Sequence, residues 1–174
     1  MYRKQRAVTL LELMLALAIL SILAAVAIPA WHATMAYGRR AAALNNLRAS
    51  LAFAREKAVS RGQIVALCTS TDHAHCDKGD WDEGWIVFVD RDADYKRDAG
   101  ETVLRVGAAL AGKDHLRGNR LIAHHIGFQR DGLMHGVHNG TITYTTTPPR
   151  TSLLRCLVVA RSGRIRADNG EHCH

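Results

Sequence analysis

The sequence has none of the short signatures through which enzymes hold phosphates or activate a nucleophile. It contains no phosphate-binding loop, no dinucleotide glycine fingerprint and no Gly-x-Ser-x-Gly elbow. No enzyme chemistry and no cofactor are therefore expected. No two of the ten histidines stand four residues apart beside a helper carboxylate, the helical spacing of many zinc sites. His124 and His125 fall on a predicted strand and point to opposite faces, while His172 and His174 flank Cys173. They read as surface histidines, and no metal site is expected from them. The four cysteines are spaced too widely for zinc. Seven residues separate Cys68 from Cys76 and sixteen separate Cys156 from Cys173, whereas zinc ligands usually stand about two to four apart. There is no internal repeat and no linker beyond ordinary loops, which leaves one domain for 174 residues. From Leu13 to Gly38, a run of 26, there is no Asp, Glu, Lys or Arg. That absence is the most informative, because roughly 20 apolar residues suffice to cross a bilayer.

Charge is present elsewhere, but unevenly. The chain has 23 Lys and Arg against 16 Asp and Glu, a formal +7. Three cations, Arg3, Lys4 and Arg6, stand in the first seven residues; without them 20 basic side chains face 16 acidic ones, or +4. Residues 72–101 hold ten acidic and four basic groups, a net of −6, so the rest of residues 8–174 is near +10. A basic remainder of this kind suits a polyanion, and equally an ordinary solvated surface.

The basic start MYRKQRA is followed by VTLLELMLALAILSILAAVAIPAW. By the positive-inside rule the basic end stays cytoplasmic and the C-terminal part lies across the membrane. A basic start, an apolar stretch and Ala25-Val26-Ala27 also describe a secretory signal peptide, which would leave Ile28 first in the mature chain. Two features favour a retained helix. Glu12 interrupts the apolar run near its start, where a carboxylate is costly in lipid. The helical pattern also continues past Ala27. Leu44, Leu47, Leu51, Ala54 and Ala58 recur at steps of three and four, with Arg39, Arg40, Asn45, Arg48, Arg55 and Lys57 at polar positions. Pro29 should bend this helix or loosen one turn, and Gly62 should stop it. One helix is expected from about Val8 to Arg61. An exported domain would oxidise its cysteines. The local pairs Cys68–Cys76 and Cys156–Cys173 are expected, with two other pairings formally open.

After Gly62 the pattern turns to β. Residues 63–69, 85–89 and 102–106 are rich in β-formers, and 121–128 is a further predicted strand. Thr141 to Thr145 alternates and follows Asn139-Gly140, a turn signal. Leu154 to Ala160 is a sixth strand, and Ser162-Gly163 reads as a tight turn into Arg164-Ile165-Arg166. A long helix followed by an antiparallel sheet is an α+β layout, with the Leu face of the helix on the sheet.

Ala7-Val8-Thr9-Leu10-Leu11-Glu12-Leu13-Met14 resembles the prepilin peptidase site of type IV pilins and type II secretion pseudopilins. The later pieces resemble the GspH/FimT branch: Arg61-Gly62, Val65, Cys68, Cys76, Trp81, Gly84-Trp85-Ile86-Val87-Phe88-Val89-Asp90, Asp98-Ala99-Gly100-Glu101, Asn139-Gly140-Thr141, Val158-Val159 and Ser162-Gly163-Arg164-Ile165-Arg166. The resemblance implies a leader at 1–7, cut between Ala7 and Val8 by a prepilin peptidase. It implies a pilin helix at 8–61, with about 8–37 in the membrane and then in the filament core, and a β domain at 62–174 on the periplasmic or extracellular side. The subunit would wait in the inner membrane before assembling with other pilins or pseudopilins. Ala7 stands where Gly is usual in the family, and Val8 where Phe is usual. Glu12 would take the family's hallmark position, pairing with the amine of a neighbouring subunit and so setting the axial register.

Two segments are candidate binding sites. Gly163-Arg164-Ile165-Arg166 resembles a Gly-Arg-x-Arg motif linked in FimT-type minor pilins to DNA binding during natural transformation. On a strand, Arg164 and Arg166 share one face about 7 Å apart, close to the spacing of phosphates along one DNA strand. Arg155 and Arg161 flank them, and double-stranded DNA is the implied partner. The alternatives are a solvated edge strand whose arginines resist aggregation, and with it a structural priming or tip subunit of a type IV pilus or a type II secretion pseudopilus. In the segment 90–101, Asp90, Asp92, Asp94, Asp98 and Glu101 fall at positions 1, 3, 5, 9 and 12 of an EF-hand calcium loop. Position 6, however, is Tyr95 where glycine is expected, and the flanks read as strands. An acidic hairpin loop is the simpler expectation. Trp81 and Trp85 read as core or loop anchors.

Overall fold

The computed structural model describes residues 9–170 and Cys173. One helix, α1 (Leu10–Arg61), precedes nine strands among the described residues. These are β1 (Val65–Thr69), β2 (Trp85–Val89), β3 (Val103–Gly107), β4 (His115–Gly118), β5 (His125–Phe128), β6 (Met134–His135), β7 (Asn139–Thr145), β8 (Arg155–Ala160) and β9 (Ile165–Asn169). Packing divides the chain into two units, Met1–Arg39 and Arg40–His174, and α1 contributes to both.

In the first unit the helix is apolar all round. Its large side chains, from Leu10 to Trp31, are exposed to the surroundings, and the stretch is long and apolar enough to cross a membrane. Thr9 caps its start by accepting the Glu12 N–H at 3.2 Å. The few hydroxyls are satisfied within the helix: Ser21 donates to Leu17 O at 2.8 Å and Thr34 to Ala30 O at 3.0 Å. Such pairing is what lipid requires of a polar group. The helix continues through Pro29 without a break; the ring removes one backbone donor, and the turns on either side persist.

In the second unit, Leu44, Leu47, Leu51, Ala54 and Ala58 are buried on one stripe of α1. The helix stops at Gly62, whose φ of +62° suits glycine, and the Gln63 N–H returns to Ala58 O at 3.3 Å. The stripe is covered by two antiparallel sheets, ordered β3-β2-β1-β5-β6 and β4-β7-β8-β9. Val65, Leu67, Val87, Ile126 and Phe128 come from the first, and Leu116, Ile142, Tyr144, Leu157 and Val159 from the second. The other face of the first sheet carries a smaller core of Ala66, Cys68, Ile86 and Phe88, covered by Tyr95, Cys76 and Val103. Each fully buried aliphatic side chain contributes on the order of 2 kcal/mol.

Three sequence expectations are corrected here. The strand expected at 121–128 begins only at His125, because the residues before it turn. Ile122 donates its N–H to Asn119 O, and its own carbonyl accepts the Trp81 indole N–H at 3.0 Å. Asn139-Gly140 is not a turn but lies inside β7. Gly140 is there for space, since the Ile122 side chain occupies the place of its absent Cβ. The β layer is two sheets rather than one, and β4 and β6 lie outside the strands read from the sequence.

Candidate functional site

The basic turn joins β8 to β9. Gly163 has φ +73°, and its N–H donates to Ala160 O at 2.8 Å, while Ala160 N–H donates to Arg164 O at 3.0 Å. This is a three-residue hairpin loop with glycine at its left-handed position. A side chain at Gly163 would also fall on the carbonyl of Gly132. From α1, Arg55 donates Nε to Gly132 O at 2.9 Å and Nη2 to Ser162 O at 3.2 Å. Met134 N–H donates to Arg161 O at 2.9 Å. The turn is thereby held against both the helix and the loop before β6. Arg55 was legible only as a polar helix position. Its place next to the buried stripe was the available signal, and nothing in the sequence showed which turns it would meet.

The five predicted DNA-binding residues do not form one cluster. Arg164 and Arg166 are both exposed. Among the described residues the Arg164 guanidinium has no hydrogen bond or ion pair, whereas Arg166 Nη2 lies 3.4 Å from Asp168 Oδ2 on the same strand. Arg161 directs Nη1 to His138 Nδ1 at 3.0 Å. Arg155 is placed elsewhere. It pairs with Asn169 at the far end of β9, shares the face of Leu157 and Val159 by alternation, and bonds its neighbour's carbonyl, Leu154 O, at 2.7 Å. The expectation that Arg155 flanks the motif is therefore corrected: the motif sits at the turn end of the hairpin and Arg155 at the open end.

The acidic segment directs much of its charge inward. Asp90 is fully buried at the end of β2 and accepts the N–H groups of Ala93 at 2.8 Å and Tyr95 at 3.2 Å. Burial pushes its carboxyl above the usual range, with Glu101 and Asp92 adding to the effect. Glu101, also buried, accepts Arg91 N–H at 2.6 Å and Asp98 N–H at 3.1 Å. Asp94 accepts Lys96 N–H at 2.7 Å, which lowers its pKa. Asp90, Asp92 and Asp94 do approach one another, with ligand atoms within 4.8 Å, but Glu101 is turned to backbone donors and Asp98 is not among them. The segment is a loop between two strands, not helix-flanked. Tyr95, at the expected glycine position, takes φ +63° itself. Its ring stacks on His125 with centroids 4.3 Å apart, and its hydroxyl donates to His135 O at 2.8 Å. Burial raises its pKa to about 12, and burial also lowers that of His125, with His124 beside it.

Sulfurs are bonded within each local pair, Cys68–Cys76 and Cys156–Cys173. The first ties a loop to the outer face of β1; the second ties Cys173 to β8. His124 precedes β5 and sets Nδ1 against Gly79 O at 3.0 Å, while His125 opens the strand. Ala7 and Val8 lie outside the described residues, as do His172 and His174. Glu12 stands in the first turn of α1.

A long apolar helix whose second half packs on antiparallel sheets is the type IV pilin-like fold. Residues 43–163 match the family described as Type II transport protein GspH, and residues 2–28 match the prokaryotic N-terminal methylation motif. The chain therefore belongs to the GspH family, whose members are minor pilins or pseudopilins of type IV pili or type II secretion systems. The type IV minor pilin FimU of Pseudomonas aeruginosa (strain PAO1) is a structural neighbour in two crystal forms. The form in space group P21 has a TM-score of 0.61 and 21% identity over 76% of this chain and 90% of that one. The form in P65 gives 0.59 and 20% over 76% and 95%. The minor pseudopilin EpsH of the Vibrio cholerae Type 2 Secretion System gives 0.47 and 9% over 72% and 94%. No curated protein matches the chain.

Proposed function

We propose that this GspH-family subunit is a minor pilin of a type IV pilus that binds double-stranded DNA without sequence preference during uptake in natural transformation. Arg164 is the observation that supports this best. It is an exposed guanidinium with no hydrogen-bond or ion-pair partner among the described residues, on a turn that Gly163 and Arg55 hold in place. An exposed, unpaired guanidinium on a held turn suits phosphate recognition, and such contacts read the backbone rather than the bases. In this reading a prepilin peptidase cuts between Ala7 and Val8, and the new N-terminus is methylated. The mature helix holds the β domain on the periplasmic side of the inner membrane until Glu12 pairs with a neighbouring subunit's amine. The acidic loop acts as an internally bonded brace rather than a calcium site.

A second reading is a structural priming or tip subunit of a pilus or type II secretion pseudopilus. The Arg166–Asp168 ion pair favours it, because it neutralises one of the two motif cations. The two readings separate in one titration. Full-length chain in detergent micelles is mixed with a labelled duplex at about 50 mM salt. Micromolar binding that falls with salt is expected, and Arg164→Gln with Arg166→Gln should weaken it about tenfold or more. Binding unchanged in that double variant, or absent in the parent, would leave the structural reading in its place.

A further inference from the structure

The hairpin turn is one wall of a groove of about 590 Å³ whose other wall is α1. Arg48, Ala52, Arg55 and Val59 line it from the helix, and Arg164 and Ile165 from the turn. The helix residues recur at steps of four, three and four, a single stripe beside the buried one. The three arginines differ in what they already hold. Arg55 is engaged by the carbonyls of Gly132 and Ser162, so it shapes the groove. The guanidiniums of Arg48 and Arg164 have no hydrogen bond or ion pair among the described residues. Glu56 also borders the groove, but its carboxylate lies 3.2 Å from Lys57 Nζ. Two unpaired guanidiniums therefore face one open channel from opposite walls, above an apolar floor.

We propose that this groove seats a backbone phosphate of nucleic acid between Arg48 and Arg164, which makes Arg48 a DNA-contact residue supplied by the pilin helix. The inference rests on the DNA-binding reading above, and it relocates the contact. Instead of two arginines side by side on a strand, the pair spans helix and turn, while Arg166 is drawn to Asp168. A repeating phosphodiester fits better than a single anion. The groove is open, and Arg166 follows Arg164 on the strand leaving it, so a strand seated in the groove meets a further cation as it leaves.

The test titrates a labelled duplex against full-length chain in zwitterionic micelles, across a series of salt concentrations. Arg48→Gln should weaken binding about three- to tenfold at low salt and flatten the salt slope by about one unit, as should Arg164→Gln. Arg48→Lys should recover part of the loss. Arg155→Gln removes the same charge from the far end of the hairpin and should stay within about twofold of the parent. If Arg48→Gln binds like the parent while Arg164→Gln is weakened, the groove seat is wrong and the DNA reading survives. An equal loss in Arg155→Gln would make the effect one of net charge and overturn the seat. So would displacement of the duplex by short-chain phosphatidylglycerol at equal phosphate, which would mark a lipid headgroup site. A parent chain that binds no duplex ends both readings.

Discussion

In the loop from Asp90 to Glu101 the carboxylates of Asp90, Asp94 and Glu101 are turned toward their own backbone. Asp90 and Glu101 between them accept four main-chain N–H groups, and both are buried. In the turn from Arg161 to Arg166 the backbone is already satisfied by the hairpin, by Arg55 and by Met134. Its arginine side chains are left outside, and the Arg164 guanidinium keeps its donors free. Both segments are dense in charge, yet one uses charge to build a loop and the other presents it. A carboxylate can replace missing ladder partners only by accepting, so an acidic loop can fold on itself. A guanidinium only donates, and once the nearby carbonyls are taken it must look outward. Counting charges therefore locates neither site; following the donors and acceptors does.

The contrast can be broken most severely at Gly163. Gly163→Ala puts a Cβ at φ +73° and onto the Gly132 carbonyl, so a loss of about 3 kcal/mol is expected. Thermal unfolding of the full-length chain should fall by roughly 6–12 °C, and a shift under about 2 °C would show that the turn tolerates a side chain. On the acidic side, Asp90→Ala strands the N–H groups of Ala93 and Tyr95. A loss of about 2 kcal/mol is expected, moderated because the buried carboxylate is itself costly, and Asp90→Asn should lose less. If Asp90→Ala is neutral in the same melt, the loop does not depend on its own carboxylates.

A smaller effect should appear with pH. His125, under the Tyr95 ring, has its pKa lowered from the ordinary 6.5. At neutral pH folded and unfolded rings are both mostly uncharged, so its contribution is fully present. As pH falls below about 6.5 the unfolded ring binds a proton that the folded ring resists, so stability falls with pH. His125→Phe keeps the stack without the proton and should show a shallower decline in melting temperature between pH 7 and pH 5. An identical decline would place the sensitivity elsewhere. The smallest change is expected from Asp168→Asn, which frees Arg166. Melting should stay within about a degree or two, since exposed ion pairs contribute little. Duplex affinity at low salt should rise about two- to threefold, and a fall instead would mean that Asp168 positions Arg166 for binding.

The helix was legible because its period is long and its apolar stripe unmistakable: Leu44, Leu47, Leu51, Ala54 and Ala58 are all buried. The strands rich in β-formers, such as Trp85–Val89, were legible for the same reason. What could not be read was long-range. Asn139-Gly140 carries the local chemistry of a turn, and only the presence of Ile122 over Gly140 explains why it is strand. Tyr95 in a glycine conformation is offset by partners far along the chain, the ring of His125 and, forty residues away, the His135 carbonyl. The separation of Arg155 from Arg164 follows from the hairpin register, which places them at opposite ends of one ladder. Local sequence could name the arginines, but not which of them the fold would leave unpaired.

The two hydrogen bonds from Arg55 have a mechanical consequence. Among the described residues β9 is a border strand whose one sheet neighbour is β8. A cargo tugging on Arg164 would pull at the first rung of that ladder, the direction in which a hairpin unzips one bond at a time. Arg55 grips Ser162 and Gly132 at this same point, and Met134 grips Arg161. Tension applied at the turn is therefore shared at once among the hairpin, the helix and the neighbouring sheet, so several bonds must fail together before the strand peels.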